Sequence, residues 1–285
     1  MADNTNPLKR YYRQPQISIQ LPSKQKYYPE TVVQKTVTGE HPVLPMTAID
    51  ELSFRTPDSM MSGQSTVDVI RSCIPTILDP WQLVNYDVDT VLIAIRIASY
   101  GETMDVTATV PVTNESMTHT INLPQVLDNI RRDDITDTCV LKDGLTIQVS
   151  PLTYRQITQS QLKTFEQQKI YSQVAQSEMT AEEKTKRFMD GFRVLSDLNM
   201  ELLLGNIARI QLPTGESVAD KEHIKQFIQN ADAKLIKELE TRLAEIRQQG
   251  AMKPVKVKAT EEQIKAGAPV SYDVPITFDN ANFFV

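Results

Sequence analysis

The sequence is poor in the residue types from which active sites and metal sites are built. Its 285 residues include only three histidines, His41, His119 and His223, and two cysteines, Cys73 and Cys139. No histidine has a serine or carboxylate at a catalytic spacing, and none of the patterns HExxH, GxSxG, GxxxxGK[ST] or GxGxxG occurs. The sequence therefore predicts no catalytic residue, no cofactor and no metal site, and we expect a protein that is not an enzyme.

Long apolar runs are also missing. No stretch of about 18 apolar residues occurs, so no transmembrane helix is expected, and the polar residues 1–12 lack the apolar core of a secretory signal. Cys73 and Cys139 lie 66 positions apart and could in principle pair. Two isolated cysteines without a signal peptide instead predict buried or free thiols in a reducing compartment.

Charge is unevenly distributed along the chain. The net charge is −6, which argues against a nucleic-acid binder driven by the charge of the whole chain. Residues 1–30 are different, because they contain five basic and two acidic residues and four of the nine tyrosines. Tyr11, Tyr12 and Arg13 are typical protein-contact residues, and we favour that role. Stacking on single-stranded nucleic acid is the alternative, and we do not favour a nucleic-acid partner.

The distribution of local signals predicts an α+β protein. We expect mainly a helical bundle, with small β-hairpin modules and extended N- and C-terminal segments. Four segments are predicted: a basic, Tyr-rich arm with β segments (1–40), short helices and β-hairpins (41–150), a helical region (151–250) and a β-like tail (251–285).

Strand signals are strongest in the first half of the chain. Residues 16–21 alternate between polar and apolar, and residues 31–37 are rich in β-branched side chains. Residues 104–122 and 139–149 each predict a hairpin, the second with an Asp143-Gly144 turn. Residues 255–258 and 270–278 are β-like as well.

Residues 88–100 predict a buried helix, with Asp87 as its N-cap and Gly101 after its end. Arg96 falls within this apolar segment, where an unpaired cation is costly. We expect a structural ion pair with an acid such as Asp87 or Glu51.

Helical spacing dominates residues 152–248. Thr180 and Glu183 form a capping box, and the helix that follows is predicted to continue through residue 207, until Pro213 and Gly215 break it. Near its end the region has an apolar stripe. A partner helix and an intramolecular bundle are equally good explanations of that stripe, which consists of Ile236, Leu239, Leu243 and Ile246.

The sequence given ends with two adjacent aromatic residues, Phe283 and Phe284. Exposing both rings to water is costly. We therefore expect them to dock on the same chain or on a partner.

Several blocks resemble the T4-type bacteriophage baseplate protein family, which includes hub assembly proteins of contractile-tailed phages. The specific blocks are residues 52–63, 67–75, 79–81 and 89–102. The stretch from Val274 to Asp279 and the pair Phe283-Phe284 are similar to the C-terminus of that family. The resemblance covers roughly residues 40–285.

One departure from the family concerns its hairpins. Many relatives carry cysteine pairs after the Tyr-Gly-Glu block and near the C-terminus, but this chain has Pro111-Val112-Thr113-Asn114 and Ala268-Pro269-Val270 there. A zinc site ligated by sulfur is therefore excluded in these hairpins, and we expect packing alone to hold them.

The resemblance implies a non-enzymatic protein that helps to build the tail baseplate hub. It implies hub, wedge or tape-measure proteins as partners, or a second copy of the chain. It also implies one of two locations: the host cytoplasm, for a transient assembly factor, or the virion tail baseplate. Under this interpretation the partner contacts are Tyr11, Tyr12, Arg13, Ile236, Leu239, Leu243, Ile246, Phe283 and Phe284.

Overall fold

A computed structural model of the chain describes residues 6–54, 62–131 and 136–276. The predicted α+β class is confirmed. The helices in this part are α1 (Ala48–Phe54), α2 (Gln64–Cys73), α3 (Asn85–Tyr100), α4 (Leu123–Arg131), α5 (Tyr154–Gln176), α6 (Ala181–Gly205), α7 (Lys221–Asn230), α8 (Ala233–Gly250) and α9 (Glu261–Lys265).

The strands are short and antiparallel. They are β1 (Ile17–Ile19), β2 (His41–Val43), β3 (Thr103–Thr109), β4 (Ser116–Asn122), β5 (Thr138–Val140), β6 (Thr146–Val149), β7 (Ile207–Gln211), β8 (Ser217–Val218), β9 (Val255–Lys258) and β10 (Ser271–Val274). None of the described helices is long and apolar enough to cross a membrane.

The chain divides into two compact units. The first comprises Met1–Pro80, Tyr86–Arg132 and Met252–Val285, and the second comprises Trp81–Asn85 and Asp133–Ala251.

Much of the expected N-terminal arm is integrated into the first unit. Strand β1 pairs with β2, with Ile17 opposite Val43, and the side chains of Ile19, Leu21 and Val33 are buried. The alternation in residues 16–21 therefore marks a real strand with one buried face.

A strand over residues 31–37 was a wrong prediction. The amides of Val32 and Val33 both donate to the carbonyl of Pro29, so the backbone turns there instead of extending. Only Val33 retains a bridge, to Ile77. The β-branched side chains are used for burial, and their β-propensity is overridden.

Helix α3 is the most buried helix of the first unit, with most of its side chains hidden from solvent. It begins at Asn85, so the prediction that Asp87 is its N-cap was wrong. Asp87 instead lies inside the helix, where its carboxylate accepts hydrogen bonds from the amide of Ser23 (2.9 Å) and the hydroxyl of Tyr28 (2.6 Å). This aspartate fastens the N-terminal segment to α3.

Two β-hairpins complete the first unit. Strands β3 and β4 pair from Thr103 opposite Asn122 to Thr109 opposite Ser116, and β9 pairs with β10. Polar side-chain contacts join the two hairpins, so the expectation that packing alone holds them was wrong. His119 and Tyr272 supply the shortest of these contacts, at 2.6 Å between His119 Nε2 and the phenolic oxygen.

The second unit contains a four-stranded sheet in the order β5-β6-β7-β8. The β5-β6 hairpin is the one predicted from its Asp-Gly turn. Strand β7 of this sheet contradicts the prediction that the helix continues through residue 207. Helix α6 ends at Gly205, the amide of Asn206 donates back to Leu202, and Ile207 and Ile210 then pair with strand β6.

Helices α7 and α8 cover the sheet of the second unit. Their buried side chains form one core with those of the sheet, and this core includes Ile147, Ile207, Ile210, Ile224, Ile228, Leu239, Leu243 and Ile246.

Helices α5 and α6 form a long antiparallel hairpin. Both begin with a capping box, at Thr153 and at Thr180. The helices approach closely at Gly191, where an added Cβ would lie 2.9 Å from the hydroxyl of Tyr171. The ring of Tyr171 also contacts that of Phe188. The hairpin is thin, because Thr158 and Val174 are the only buried side chains of α5.

Candidate interaction surfaces

Arg13 is the anchor of the N-terminal segment. Its Nη1 donates to the carbonyl of Pro45 (2.8 Å) and to Oδ2 of Asp50 (3.2 Å), and its Nη2 donates to the carbonyl and to the hydroxyl of Ser72 (both 2.8 Å). We had predicted Arg13 as a partner contact. Its guanidinium is instead occupied by its own unit, because this set of acceptors matches the planar donor geometry of arginine.

The thiol of Cys73 lies beside this anchor. Its Sγ is 3.8 Å from Nη1 of Arg13. Burial, assisted by the negative charge of Asp50, raises the pKa of Cys73 to about 12. Since the thiolate is the reactive form of cysteine, this thiol is inert. Cys73 and Cys139 are both free and buried, as predicted.

Exposed aromatic and aliphatic side chains flank the Arg13 anchor. Tyr11 is 71% exposed and Tyr12 immediately precedes Arg13. On helix α1, which contains Asp50, Ile49 and Leu52 are exposed as well. We call Tyr11, Tyr12, Ile49 and Leu52 the anchor surface.

The apolar stripe of residues 236–246 lies in the core of its own chain. Leu239, Leu243 and Ile246 are buried and Ile236 packs against them, all within the second unit. The intramolecular bundle is therefore the explanation that the structure supports. Leu239, Leu243 and Ile246 are therefore not available to a partner in this conformation, contrary to our partner-contact prediction, and Ile236 is half-buried.

The last two predicted contacts, Phe283 and Phe284, lie outside the described residues. Their docking on this chain or on a partner stays a prediction.

A second exposed surface lies on the α5-α6 hairpin, and the sequence analysis missed it. Its large exposed side chains are Phe165, Ile170, Met179, Phe188, Met189, Phe192 and Val194. A two-helix hairpin can bury only one narrow face of each helix. The sequence did contain a signal for this surface, namely the apolar residues Phe188, Met189 and Phe192. Adjacent residues on a helix point in different directions, so Phe188 and Met189 cannot both face helix α5.

The histidines are structural or exposed. His41 is fully buried, its two ring nitrogens lie 2.9 Å from Gln25 Nε2 and Thr76 Oγ1, and burial lowers its pKa. His119 is engaged with Tyr272. Within the residues that the structure describes, no group of three or more His, Cys, Asp or Glu side chains could hold a metal ion.

Arg96 forms no ion pair with Asp87 or Glu51, the two acids that we proposed as its partner, nor with any other acid among the described residues. Its guanidinium carbon lies 4.6 Å from the centre of the Tyr100 ring, and Tyr100 donates a hydrogen bond to Glu51. The carboxylate of Asp87 is occupied elsewhere. Arg96 is only 6% exposed, and its Nε and Nη1 have no hydrogen-bond partner in the described part of the chain. Burial accordingly lowers its pKa.

Comparison with known proteins identifies the family. A sequence profile described as "T4 bacteriophage base plate protein" matches residues 14–266, which is most of the chain. No curated protein and no solved structure gives a significant match. The resemblance recognised in the sequence is thereby confirmed at the level of the baseplate family. The chain therefore belongs to the T4 bacteriophage base plate protein family.

Proposed function

We propose that this protein is a structural or assembly component of the baseplate hub and works through protein–protein contacts, without a catalytic step. The observation that carries the proposal is the anchor surface, in which exposed Tyr11 and Ile49 lie on two segments that Arg13 joins. Membership of a baseplate family supports a role in the phage tail. The assignment to the hub rests on the sequence resemblance to hub assembly proteins.

The anchor surface has the physical properties of a contact site. Tyrosine supplies a large contact area with few rotatable bonds, and it is enriched in protein interfaces. The segment beneath it is held by the four hydrogen bonds from the guanidinium of Arg13. Because Arg13 already holds the backbone next to the tyrosines, this segment loses less conformational entropy when a partner docks.

Pull-downs between purified proteins test the proposal. The full-length chain is immobilised and offered the hub, wedge and tape-measure proteins of the same phage one at a time. We expect the wild type to retain a hub protein. The double variant Tyr11→Ser/Ile49→Ser should retain it several-fold less well, because it removes apolar contact area without touching Arg13.

A matched control is available in the same unit. Val37 is fully exposed in a turn, and Val37→Ser should leave the capture of the hub protein unchanged. Equal capture by the double variant and the wild type would refute the anchor surface as the contact. Retention of a wedge or tape-measure protein but no hub protein would refute the hub assignment.

Mass spectrometry of purified virions separates the two modes of action. A structural component is present in stoichiometric amount in the mature particle. A transient assembly factor is absent from the virion but is present in baseplate intermediates from infected cells.

One observation favours a second function, the binding of single-stranded nucleic acid. The guanidinium of Arg10 lies 4.8 Å from the ring centre of Tyr11, and the ammonium of Lys26 lies 5.9 Å from that of Tyr27. Such pairs can provide stacking platforms beside positive charge. Binding to a single-stranded oligonucleotide that weakens steeply with salt would support this function. Absence of binding at low salt would eliminate it.

A further inference from the structure

One side of helix α6 faces away from helix α5 and is exposed to solvent. Phe188, Gly191 and Leu198 face α5 or are buried. The opposite side of the helix is about half a turn away from these three residues. It includes Glu182 and Met189. Met189 is 69% exposed there, and Phe192, at the edge of this side, is 72% exposed. We call the exposed side from Ala181 to Arg193 the outer face.

The charges of the outer face alternate along the helix. Glu182, Lys186, Asp190 and Arg193 follow one another at intervals of four, four and three residues, and all four are exposed. Each interval is about one helical turn, so the four charges form one row. None of them forms an ion pair with another residue in the described ranges of the chain.

In a symmetric dimer with the two rows in register, this order of charges is complementary to itself in one direction only. From the N-terminus the row is negative, positive, negative, positive. A second copy in antiparallel orientation presents the reversed row, in which every charge is opposite, whereas a parallel copy places like charges together. Antiparallel alignment pairs Lys186 with Asp190, and Arg193 with Glu182 or Glu183, of the other copy.

The shape of the outer face fits the same alignment. A shallow groove runs along it, and Ala181, Thr185 and Met189 are among its lining residues. Ala181 and Thr185 are small, so the helix offers a depression between them. When Lys186 lies opposite Asp190, Phe192 of one copy is level with residue 184 of the other. Its ring then falls between Ala181 and Thr185 on the second copy.

We propose that the outer face of α6 is a homodimer interface, in which two copies pack antiparallel about a two-fold axis that crosses the outer face at the level of residue 188. Isologous contact of this kind is the commonest form of self-association. The proposal goes beyond the function proposed above and stands independently of it, because it requires no other baseplate protein. About 12 residues of one helix per copy form a small interface, so we expect moderate affinity.

Sedimentation velocity on the full-length chain tests for the dimer. We expect a reversible monomer–dimer equilibrium between about 1 and about 500 μM protein. The dimer should weaken as salt rises, because salt screens the attraction between the paired charges. A chain that remains monomeric over this whole concentration range at low salt would overturn the proposal.

Charge reversal distinguishes this interface from any other. Lys186→Glu places two acids together twice in each dimer, and Asp190→Lys does the same with two bases. Each single variant should dimerise at least about tenfold more weakly than the wild type. The double variant Lys186→Glu/Asp190→Lys restores both attractions and should regain the affinity of the wild type.

Mixing the two single variants is the sharpest test. In the mixed dimer, Glu at position 186 of one copy meets Lys at position 190 of the other, and the second pair keeps native Lys186 and Asp190. Two variants that are each monomeric should therefore dimerise when combined. Failure of both the mixture and the double variant to dimerise, with helical circular dichroism unchanged, would overturn the antiparallel pairing.

The apolar contact has its own pair of variants. Phe192→Ala should weaken the dimer, because it empties the depression between Ala181 and Thr185. Phe165→Ala is the matched control, since Phe165 is an exposed phenylalanine of helix α5 and lies off the outer face. Equal dimerisation of the Phe192 variant and the wild type would contradict the predicted packing.

Discussion

The phenolic oxygen of Tyr272 lies 2.6 Å from Nε2 of His119, and this hydrogen bond joins strands that are 153 residues apart in sequence. The two rings also meet edge to face, with their centres 5.6 Å apart. Nearby, the side-chain amide of Gln263 contacts the carboxylate of Glu115 and the sulfur of Met117. The β3-β4 and β9-β10 hairpins are thus joined by polar side chains.

Removal of the Tyr272 hydroxyl should weaken this junction. Tyr272→Phe keeps the ring contact but removes the hydrogen bond, so we expect the free energy of unfolding to fall by about 1 kcal/mol. Chemical denaturation of the full chain measures the change. Tyr11→Phe is the control, because Tyr11 is exposed, and it should leave stability unchanged. Equal stability of both variants would show that the hydrogen bond contributes nothing.

A metal chelator should not affect the same hairpins. The tyrosine–histidine junction needs no metal ion, and no group of metal-ligating side chains occurs in the described part of the chain. We expect the same melting temperature with excess chelator, with added zinc and in plain buffer. A rise in melting temperature with zinc that Tyr272→Phe abolishes would contradict this prediction.

Asp87 should make the protein less stable as the pH rises. Burial raises its pKa from 3.8 to about 6, although hydrogen bonds from Ser23 and Tyr28 oppose the shift. The folded state therefore prefers the protonated carboxyl. This contribution to stability is complete below pH 3.8 and is lost as the pH rises through about 6.

Comparison of the wild type with Asp87→Asn isolates this effect. Between pH 4 and pH 7, the unfolding free energy of the wild type should fall by roughly 2–3 kcal/mol relative to that of Asp87→Asn. Asp89, whose pKa burial raises to about 7, and His41, whose pKa burial lowers, titrate in both proteins and largely cancel. A difference that is independent of pH would contradict the assignment to Asp87.

Local signals in the sequence predicted local structure well. The capping box of Thr180 and Glu183 starts a helix, and the Asp143-Gly144 turn joins two strands. These patterns succeed because the interacting groups lie within a few residues of one another. The same reasoning places helix α3, although its N-terminus lies two residues before Asp87.

Tertiary contacts decided what the sequence left open or predicted wrongly. The stripe around Leu239 and Leu243 looks the same whether it faces a partner or the chain itself, and only the β5-β8 sheet beneath it shows which face it covers. Ile207 and Ile210 continue a helical spacing in sequence, but pairing with strand β6 outweighs it. The hydrogen bonds of Arg13 span up to 59 positions and leave no local pattern.

Replacement of Arg96 should stabilise the isolated protein. Its Nε and Nη1 are buried without hydrogen-bond partners in the described residues, and an unsatisfied buried polar group costs about 1–3 kcal/mol. Arg96→Met retains the length of the side chain and removes the charge, so we expect a higher melting temperature despite the loss of the contact with Tyr100. Calorimetry measures the change, and a large decrease would show that Arg96 has an anionic partner.

Lysine should not replace Arg13. One ammonium group cannot reach Pro45, Asp50 and Ser72 with the geometry of a planar guanidinium. We expect Arg13→Lys to lower the free energy of unfolding by about 1–3 kcal/mol, because acceptors around the buried Asp50 lose their donors. Arg10→Lys, in the exposed turn just before it, is the control and should have little effect. Similar unfolding curves for both variants would contradict the anchoring role of Arg13.

Truncation before Phe278 should separate the two roles that the terminal phenylalanines can have. If Phe283 and Phe284 dock on a partner, the truncated chain retains the thermal stability of the full chain but captures less of its hub partner in a pull-down. If they dock on their own chain, the melting temperature falls, because apolar area is returned to water. Phe283→Ala/Phe284→Ala tests the rings without removing backbone. We expect the first outcome, and undiminished capture by both variants would refute it.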